Sequence, residues 1–464
     1  MNEKVSRRDL LGHAGRTAAA GAALGGITIP AVHVGAAQNP ARPAENGQLV
    51  AALIGCGGMG RGNMNNLMSK GARIAAVCDV DSSHMAQAAS DVEKRQGTRP
   101  KEVKDFRRVM DMKDVNVVII ATPDHWHALP FIAACEAGKD VHLEKPISHN
   151  ISEGRAMVAA AKRFKTVCQV GTWQRSNKDF ADAVAFIRSG KLGPISTVKA
   201  WKTDWFSMGK NNPPQPVPAN LDWDFYLGPA EKVPYTGKNG HFNWRWYFNT
   251  AAGNTGDWGV HMIDIGLLAM SKDTDLVMPT HVSSVGGKFS SGADDDRTTP
   301  DTHHAIFQFP NFIMEWQTGR RGLEYGYVRQ VPAGDGGPQR KPQDMLDNGT
   351  AFVAADGSSL VVWRGGWTVR DPQGNELPKT YAEDFGTHDH MQDFIDCIKT
   401  RKQPRSNIES MYQTTAVCHL ANISYLTGQT VRWDKEKNDL VGNVGKDTLP
   451  YAREYRQPWK LPKY

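Results

Sequence analysis

An unbroken apolar run, Leu49-Val-Ala-Ala-Leu-Ile54, leads directly into Gly55-Cys56-Gly57-Gly58-Met59-Gly60. A strand with no polar alternation is buried on both faces, and such strands belong to parallel sheets covered by helices. The glycine spacing G-x-G-x-x-G at its end has a physical reading. Gly55 permits a tight turn, Gly57 lets the backbone approach a pyrophosphate, and Gly60 lets a helix lie close on the strand. Gly58 and Met59 complete the turn and join the expected cofactor-binding set. The pattern predicts a helix over Arg61–Lys70, whose first amides and positive dipole end suit phosphate.

With 45 glycines in 464 residues the fingerprint alone is weak, and its surroundings strengthen it. A second strand, Arg73–Cys78, ends at Asp79, 24 residues after Gly55. An acid at the end of the second strand, roughly 20 residues on, binds ribose hydroxyls in such folds. A carboxylate there repels a 2′-phosphate, so NAD is expected over NADP. Asp81 reads as a turn or helix-cap residue. The alternation continues with strand Val115–Ala121, helix Trp126–Ala137, strand Asp140–Leu143, helix Ile151–Phe164 and strand Thr166–Val170. This is the pattern of an α/β doubly wound parallel sheet with its ligand at the carboxyl ends of the strands. Thr122, Pro123, His125, His127, Glu144 and Lys145 fall at those ends, which predicts that they surround a nicotinamide. Gln174 follows the last strand and is expected beside the cofactor too.

Oxidising an alcohol with a nicotinamide asks the protein to take a proton and steady an alkoxide. Lys145, in Glu144-Lys145-Pro146, is the first candidate. The second lies in Gly253-Asn254-Thr255-Gly256-Asp257-Trp258-Gly259-Val260-His261. On a helix Asp257 and His261 share a face, and a carboxylate beside an imidazole fixes its tautomer. The plainer alternative is a helix cap at Asp257 and a satisfied core histidine at His261. Trp173, Arg175, Asn243, Arg245 and His388 are further candidates to line a substrate pocket. His419, in a later apolar helix, reads as core.

These residues carry a family resemblance. Everything after residue 48 resembles the Gfo/Idh/MocA oxidoreductases, relatives of glucose–fructose oxidoreductase and inositol dehydrogenase. The resemblance rests on the glycine fingerprint, Ala121-Thr122-Pro123 with His125 and His127, Glu144-Lys145-Pro146, and Asp257 with His261. It implies that Lys145 and His261 are the catalytic lysine and the acid/base histidine. It implies that Asp257 binds substrate and orients the histidine, and that a sugar or glycoside is the substrate. It also implies a C-terminal α+β domain with a large open mixed sheet that serves oligomer contacts, as a dimer or tetramer. Ile195–Ala200, His281–Gly286, His303–Phe309, Phe312–Gln317 and Ser359–Val362 are its candidate strands. Trp201, Trp205, Trp223, Trp244 and Trp246 are either core or a cleft that stacks on sugar rings. Two other functions stay open. One is a hydrolase or lyase that oxidises a sugar transiently on retained NAD; relatives of that kind replace the lysine kept here. The other is a non-catalytic sugar sensor.

Length and composition bound the rest. A chain of 464 residues exceeds one typical core, and 40% hydrophobic with 22% charged residues is globular. The expected parts are an address at 1–37, a leader at 38–48, a cofactor domain at 49–171 and a substrate domain at 172–464. The net charge of +6 forms no basic stripe, so nucleic acid is not an expected partner. Six cysteines without CxxC spacing predict buried thiols, and no metal site is expected. Ser6-Arg7-Arg8-Asp9-Leu10-Leu11, the apolar stretch Thr17–Val34 and Gly35-Ala36-Ala37 follow the order of a twin-arginine signal. That predicts recognition by the twin-arginine machinery, an exported or periplasmic protein, and a cofactor loaded before export and held tightly.

Overall fold

The apolar strands assemble in the order that parallel pairing and right-handed crossovers dictate. In the computed structural model the described residues are 47–320, 347–379 and 389–464, apart from Trp205 and Thr274. The expected signal, most of the leader, Trp205 and His388 lie outside the described residues. The first sheet has six strands: β1 (Val50–Ile54), β2 (Arg73–Cys78), β3 (Lys101–Val103), β4 (Val117–Ile120), β5 (Asp140–Leu143) and β6 (Cys168–Val170). Their order is β3-β2-β1-β4-β5-β6 and every pairing is parallel. The strand order reverses between β1 and β4, which opens a ligand crevice at their carboxyl ends.

Five helices cover or flank this sheet: α1 (Gly58–Ser69), α2 (Ser82–Gln96), α3 (Arg107–Met110), α4 (Ala128–Glu136) and α5 (Ile151–Phe164). α1 begins at Gly58, three residues before the expected start, so Gly58 and Met59 belong to its first turn. Asp81 caps α2, accepting from the amides of Ser83 and His84. Asn150 caps α5 through the amide of Glu153.

After α6 (Lys178–Arg188) comes the second sheet, nine strands in all. They are β7 (Ile195–Thr203), β8 (His281–Gly287), β9 (Thr302–Gln308), β10 (Ile313–Gly319), β11 (Asn348–Ala354), β12 (Ser359–Trp363), β13 (Gly366–Arg370), β14 (Val431–Asp434) and β15 (Asp439–Leu440). The order is β13-β12-β11-β7-β10-β9-β8-β14-β15; β7 and β10 pair in parallel and the other pairs are antiparallel. This is the large mixed sheet that the resemblance implied. α7 (Trp223–Leu227) lies in the long connection after β7, and α8 (Val260–Met270) packs on the inner face of the sheet.

Two late helices return to the first sheet: α9 (His390–Thr400) and α10 (Ile408–Thr427). Met391, Phe394, Ile395 and Ile398 of α9 share a buried cluster with Leu53, Leu67 and Val117. The C-terminal tail packs on α5 and a separate buried cluster, with Arg453 and Tyr455 both on the buried carboxylate of Glu153. All six cysteines are free and buried, and His419 is core, its Nε2 on the Ser148 carbonyl. No helix among the described residues is long and apolar enough to cross a membrane.

Candidate active site

The glycines shape a cradle at the head of the first sheet. A Cβ on Gly55, whose φ is +91°, would sit 2.5 Å from the Ala121 carbonyl oxygen. One on Gly60 would sit 2.0 Å from the Gly55 oxygen. Both contacts are impossible for a larger residue, so these two positions hold α1 against β1 and β4. Gly57 and Gly58 face open space instead. Gly57 precedes α1 without a side-chain cap, which leaves the first amides of a 12-residue helix to be met by a ligand.

A groove of about 510 Å³ runs across this cradle. One wall holds Gly55, Gly57, Gly58, Met59, Gly60, Asp79, Thr122 and Pro123. The opposite wall, from the segment after β7, holds Tyr226, His241, Phe242, Trp244 and Arg245. Asp79 accepts from the Cys56 amide at 2.6 Å and the Asp81 amide at 2.9 Å. Burial pushes its carboxyl up, and those two amides work against the shift. Beyond Asp79 the two walls are tied together. The Ser82 amide donates to the Asn220 carbonyl (2.9 Å), Asn220 Nδ2 to Asp81 Oδ1 (2.8 Å), and the Asp222 amide to the Val80 carbonyl (3.0 Å). Asp81, His84 and His241 bring atoms of metal-ligating type within 4.8 Å of one another, a cluster the sequence did not single out.

Lys145 leaves the end of β5 and meets Asp257, 112 residues on. Its Nζ donates to Asp257 Oδ1 at 2.6 Å and to the Asp257 carbonyl at 3.0 Å. Arg245 Nε reaches the same Oδ1 at 3.3 Å, so Arg245 joins the cofactor groove to this group. Asp257 does not share a regular helix with His261. It sits in a widened i→i+5 turn, Thr255–Gly259, that opens into α8, and its carboxylate serves the lysine rather than hydrogen-bonding the imidazole. Two cations beside Asp257 hold its carboxyl well below the usual range against the effect of burial. His261 is 4% exposed, with Nδ1 buried and unpartnered. Burial, then the charges of Lys145 and Arg364, hold it well below its ordinary 6.5, so it is neutral at pH 7.

The other expected residues have mixed placements. Glu144 accepts from Asn63 Nδ2 at 2.8 Å and backs the cradle. His127 lies between the carbonyls of Pro146 (2.7 Å) and Thr122 (2.9 Å) and donates its one ring N–H there instead of facing a ligand. His125 is turned away, buried against the Tyr226 carbonyl at 2.9 Å. Gln174 Oε1 accepts from Arg364 at 3.1 Å. Arg175 is no pocket residue. It forms a buried pair with Asp264 (2.6 and 2.8 Å), while Nη1 takes the Arg405 carbonyl and Ser410. The reason is local: Arg175 follows β6 inward and meets the face of α8. Asn243 is half-buried in the turn His241–Trp246. Of the expected tryptophans, Trp201, Trp223 and Trp246 are core, Trp244 lines the groove, and Trp173 is 38% exposed.

Three residues of the site were missed. Asp124 is buried near Lys145 and Asp257, and burial pushes its carboxyl well up. Lys202 of β7 and Arg364, just past β12, flank Trp258. Only pairing across the second sheet brings these two to the site, and no local pattern marks them.

The comparisons agree with this architecture. The Gfo/Idh/MocA profile described as an oxidoreductase family, NAD-binding Rossmann fold, matches residues 49–172. Its companion, the C-terminal alpha/beta domain of that oxidoreductase family, matches residues 192–288. Inositol 2-dehydrogenase of Salmonella typhimurium is 32% identical over 168 residues, which is 33% of this chain and 49% of that protein. The match therefore spans about half the length of that relative. The aldose-aldose oxidoreductase from Caulobacter crescentus, complexed with glycerol, has the same fold with a TM-score of 0.59 at 17% identity. That superposition covers 83% of this chain and 99% of the other. A levoglucosan dehydrogenase in complex with NADH and levoglucosan superposes with a TM-score of 0.58 at 19% identity, over 83% and 99% of the two chains. Residues 49–172 and 192–288 thus match the two domains of the Gfo/Idh/MocA oxidoreductase family, the first of them an NAD-binding Rossmann domain and the second the opening part of the mixed sheet.

Proposed function

We propose that the protein oxidises a hydroxyl-bearing carbon of a sugar or glycoside with NAD that it holds tightly. The observation that carries this reading is the Lys145–Asp257 pair with His261 four residues on, joined to the dinucleotide groove by Arg245, which lines the groove and also reaches Asp257. The cradle fits the cofactor: α1 offers uncapped amides at Gly57 and Gly58, and no side chain fills the space above them. A nicotinamide bound there supplies the hydride acceptor. His261 Nε2 accepts the hydroxyl proton, because the imidazole is neutral and its Nδ1 is buried. Lys145 Nζ donates to the oxygen as negative charge develops on it. Asp257 fixes that amine with its carboxylate and carbonyl. The hydrogen bonds at Val80, Asp81 and Ser82 hold the two walls of the groove together and favour retention of the dinucleotide. Mass spectrometry of the denatured, freshly purified protein should release NAD or NADH, and a sugar panel should reduce bound NAD. Empty protein that binds NAD weakly sinks the retention. Glycoside cleavage without net reduction replaces dehydrogenation with transient oxidation.

NAD is favoured over NADP because Asp79 stands in the groove where the ribose hydroxyls belong. Asp79→Ala should weaken NAD and relax the rejection of NADP. An unchanged preference would remove Asp79 from that role.

Export by the twin-arginine route and assembly through the open sheet complete the proposal. Val285, Ile306 and Ile313, on adjacent strands, are 72%, 54% and 39% exposed, an apolar face suited to a second copy. Fractionation and sizing of one preparation test both points. A mature chain confined to the cytoplasm, or a monomer at micromolar concentration, would contradict them.

A further inference from the structure

Arg364 leaves β12 on a turn made by Gly365 and Gly366, both at positive φ (117° and 155°). Its guanidinium carbon lies 4.7 Å from the ring centre of Trp173 and 4.2 Å from that of Trp258. Trp258 in turn meets the His261 ring edge-on at 5.9 Å. One edge of the guanidinium is used, with Nη2 on Gln174 Oε1 at 3.1 Å. Nε is buried with no partner.

The neighbouring cations are all paired. Lys145 and Arg245 share Asp257, and Lys202 takes Asp347 at 2.5 Å. Among the described residues Arg364 has no carboxylate within ion-pair distance. Of these four cations, Lys145, Lys202 and Arg245 thus have a carboxylate in contact, and Arg364 has none among the described residues. A half-buried cation without a counterion is costly unless the ligand supplies one. The planar fork of arginine matches a carboxylate in two-point fashion. The exposed Trp173 leaves the place open to solvent.

We infer that Arg364, held between Trp173 and Trp258, is the subsite for a carboxylate carried by the substrate, so that the sugar is a sugar acid such as a uronate or its glycoside. The inference rests on the proposed carbohydrate reaction for its place beside His261, and a binding measurement separates the two. Calorimetry should show methyl glucuronide or methyl galacturonide binding at least ~10-fold more tightly than the matching neutral glycosides, as one charge-assisted bidentate contact allows. The preference should shrink as salt rises. Arg364→Gln should bring the ratio close to one, and Arg364→Lys should restore part of it. The retained nucleotide in each variant reports that the fold is intact. Equal binding of neutral and acidic sugars, or a ratio that survives Arg364→Gln, overturns the inference. Preference for glucose 6-phosphate over the uronides overturns the carboxylate and assigns a phosphate instead. Uronide binding that never reduces NAD leaves the subsite standing and sinks the oxidoreductase reading.

Discussion

His261→Ala and Lys145→Ala should each lower kcat by ~10²–10⁴, the usual contribution of a positioned acid or base. The two variants should differ in their dependence on pH. His261 is held well below its ordinary 6.5 by burial and by the positive charges of Lys145 and Arg364. A depressed histidine stays neutral as pH falls through 6.5, so it keeps its capacity to accept a proton there. The acid limb of kcat/KM in the native protein should therefore lie below the usual histidine range. It should vanish in His261→Ala and persist in Lys145→Ala. Bound nucleotide should remain in both, because the cradle and the backbone ties over Asp81 involve neither side chain. A stopped-flow measurement of bound-NAD reduction across pH, with the best sugar of the panel, reads all of this. Full activity in both variants would remove the group from the chemistry.

How much of this was legible in the sequence depends on the range of each interaction. Five strands of the first sheet were readable because apolar runs such as β1 and β4 are broken by glycines whose φ or close packing is obligatory, as at Gly55 and Gly60, whereas β3, the short and exposed Lys101–Val103, was overlooked. Lys145, Asp257 and His261 were found by motif, but their pairing was not. Spacing of four suggested that Asp257 serves His261, whereas the widened turn at Thr255–Gly259 rotates the carboxylate onto Lys145. No local pattern announces such a turn. His125 and His127 sit at the right strand end, yet one points at the Tyr226 carbonyl and the other lies between the carbonyls of Pro146 and Thr122. Position was predictable from topology; direction required the neighbours. β11, β13, β14 and β15 were overlooked, and with the first two the register that brings Arg364 and Lys202 to Trp258. Those contacts join residues far apart in sequence through the centre of a nine-stranded sheet.

Asp264→Ala carries the largest expected loss of stability, and it separates scaffold from site. Arg175 and Asp264 are each 1% exposed in their side chains and pair at 2.6 Å. Thr414 adds a hydrogen bond to Asp264 Oδ1 at 2.7 Å, so the pair links the end of the first sheet, α8 and α10. Truncating the acid strands a guanidinium in the interior, and breaking a buried pair in this way costs about 3–5 kcal/mol. Arg175→Ala strands the carboxylate and should cost a similar amount. Replacing both at once, Arg175→Met with Asp264→Leu, leaves no charge uncompensated, and such exchanges are often close to neutral. The double variant should therefore recover most of the urea midpoint that either single variant loses. If Arg175 instead gripped the substrate, as its place after β6 first suggested, the double variant would regain stability but show a raised KM for the sugar. An unchanged KM beside a restored midpoint is the expected pair of results. It would mean that the charge buried behind α8 serves the scaffold alone, and that the cation meeting the sugar lies elsewhere.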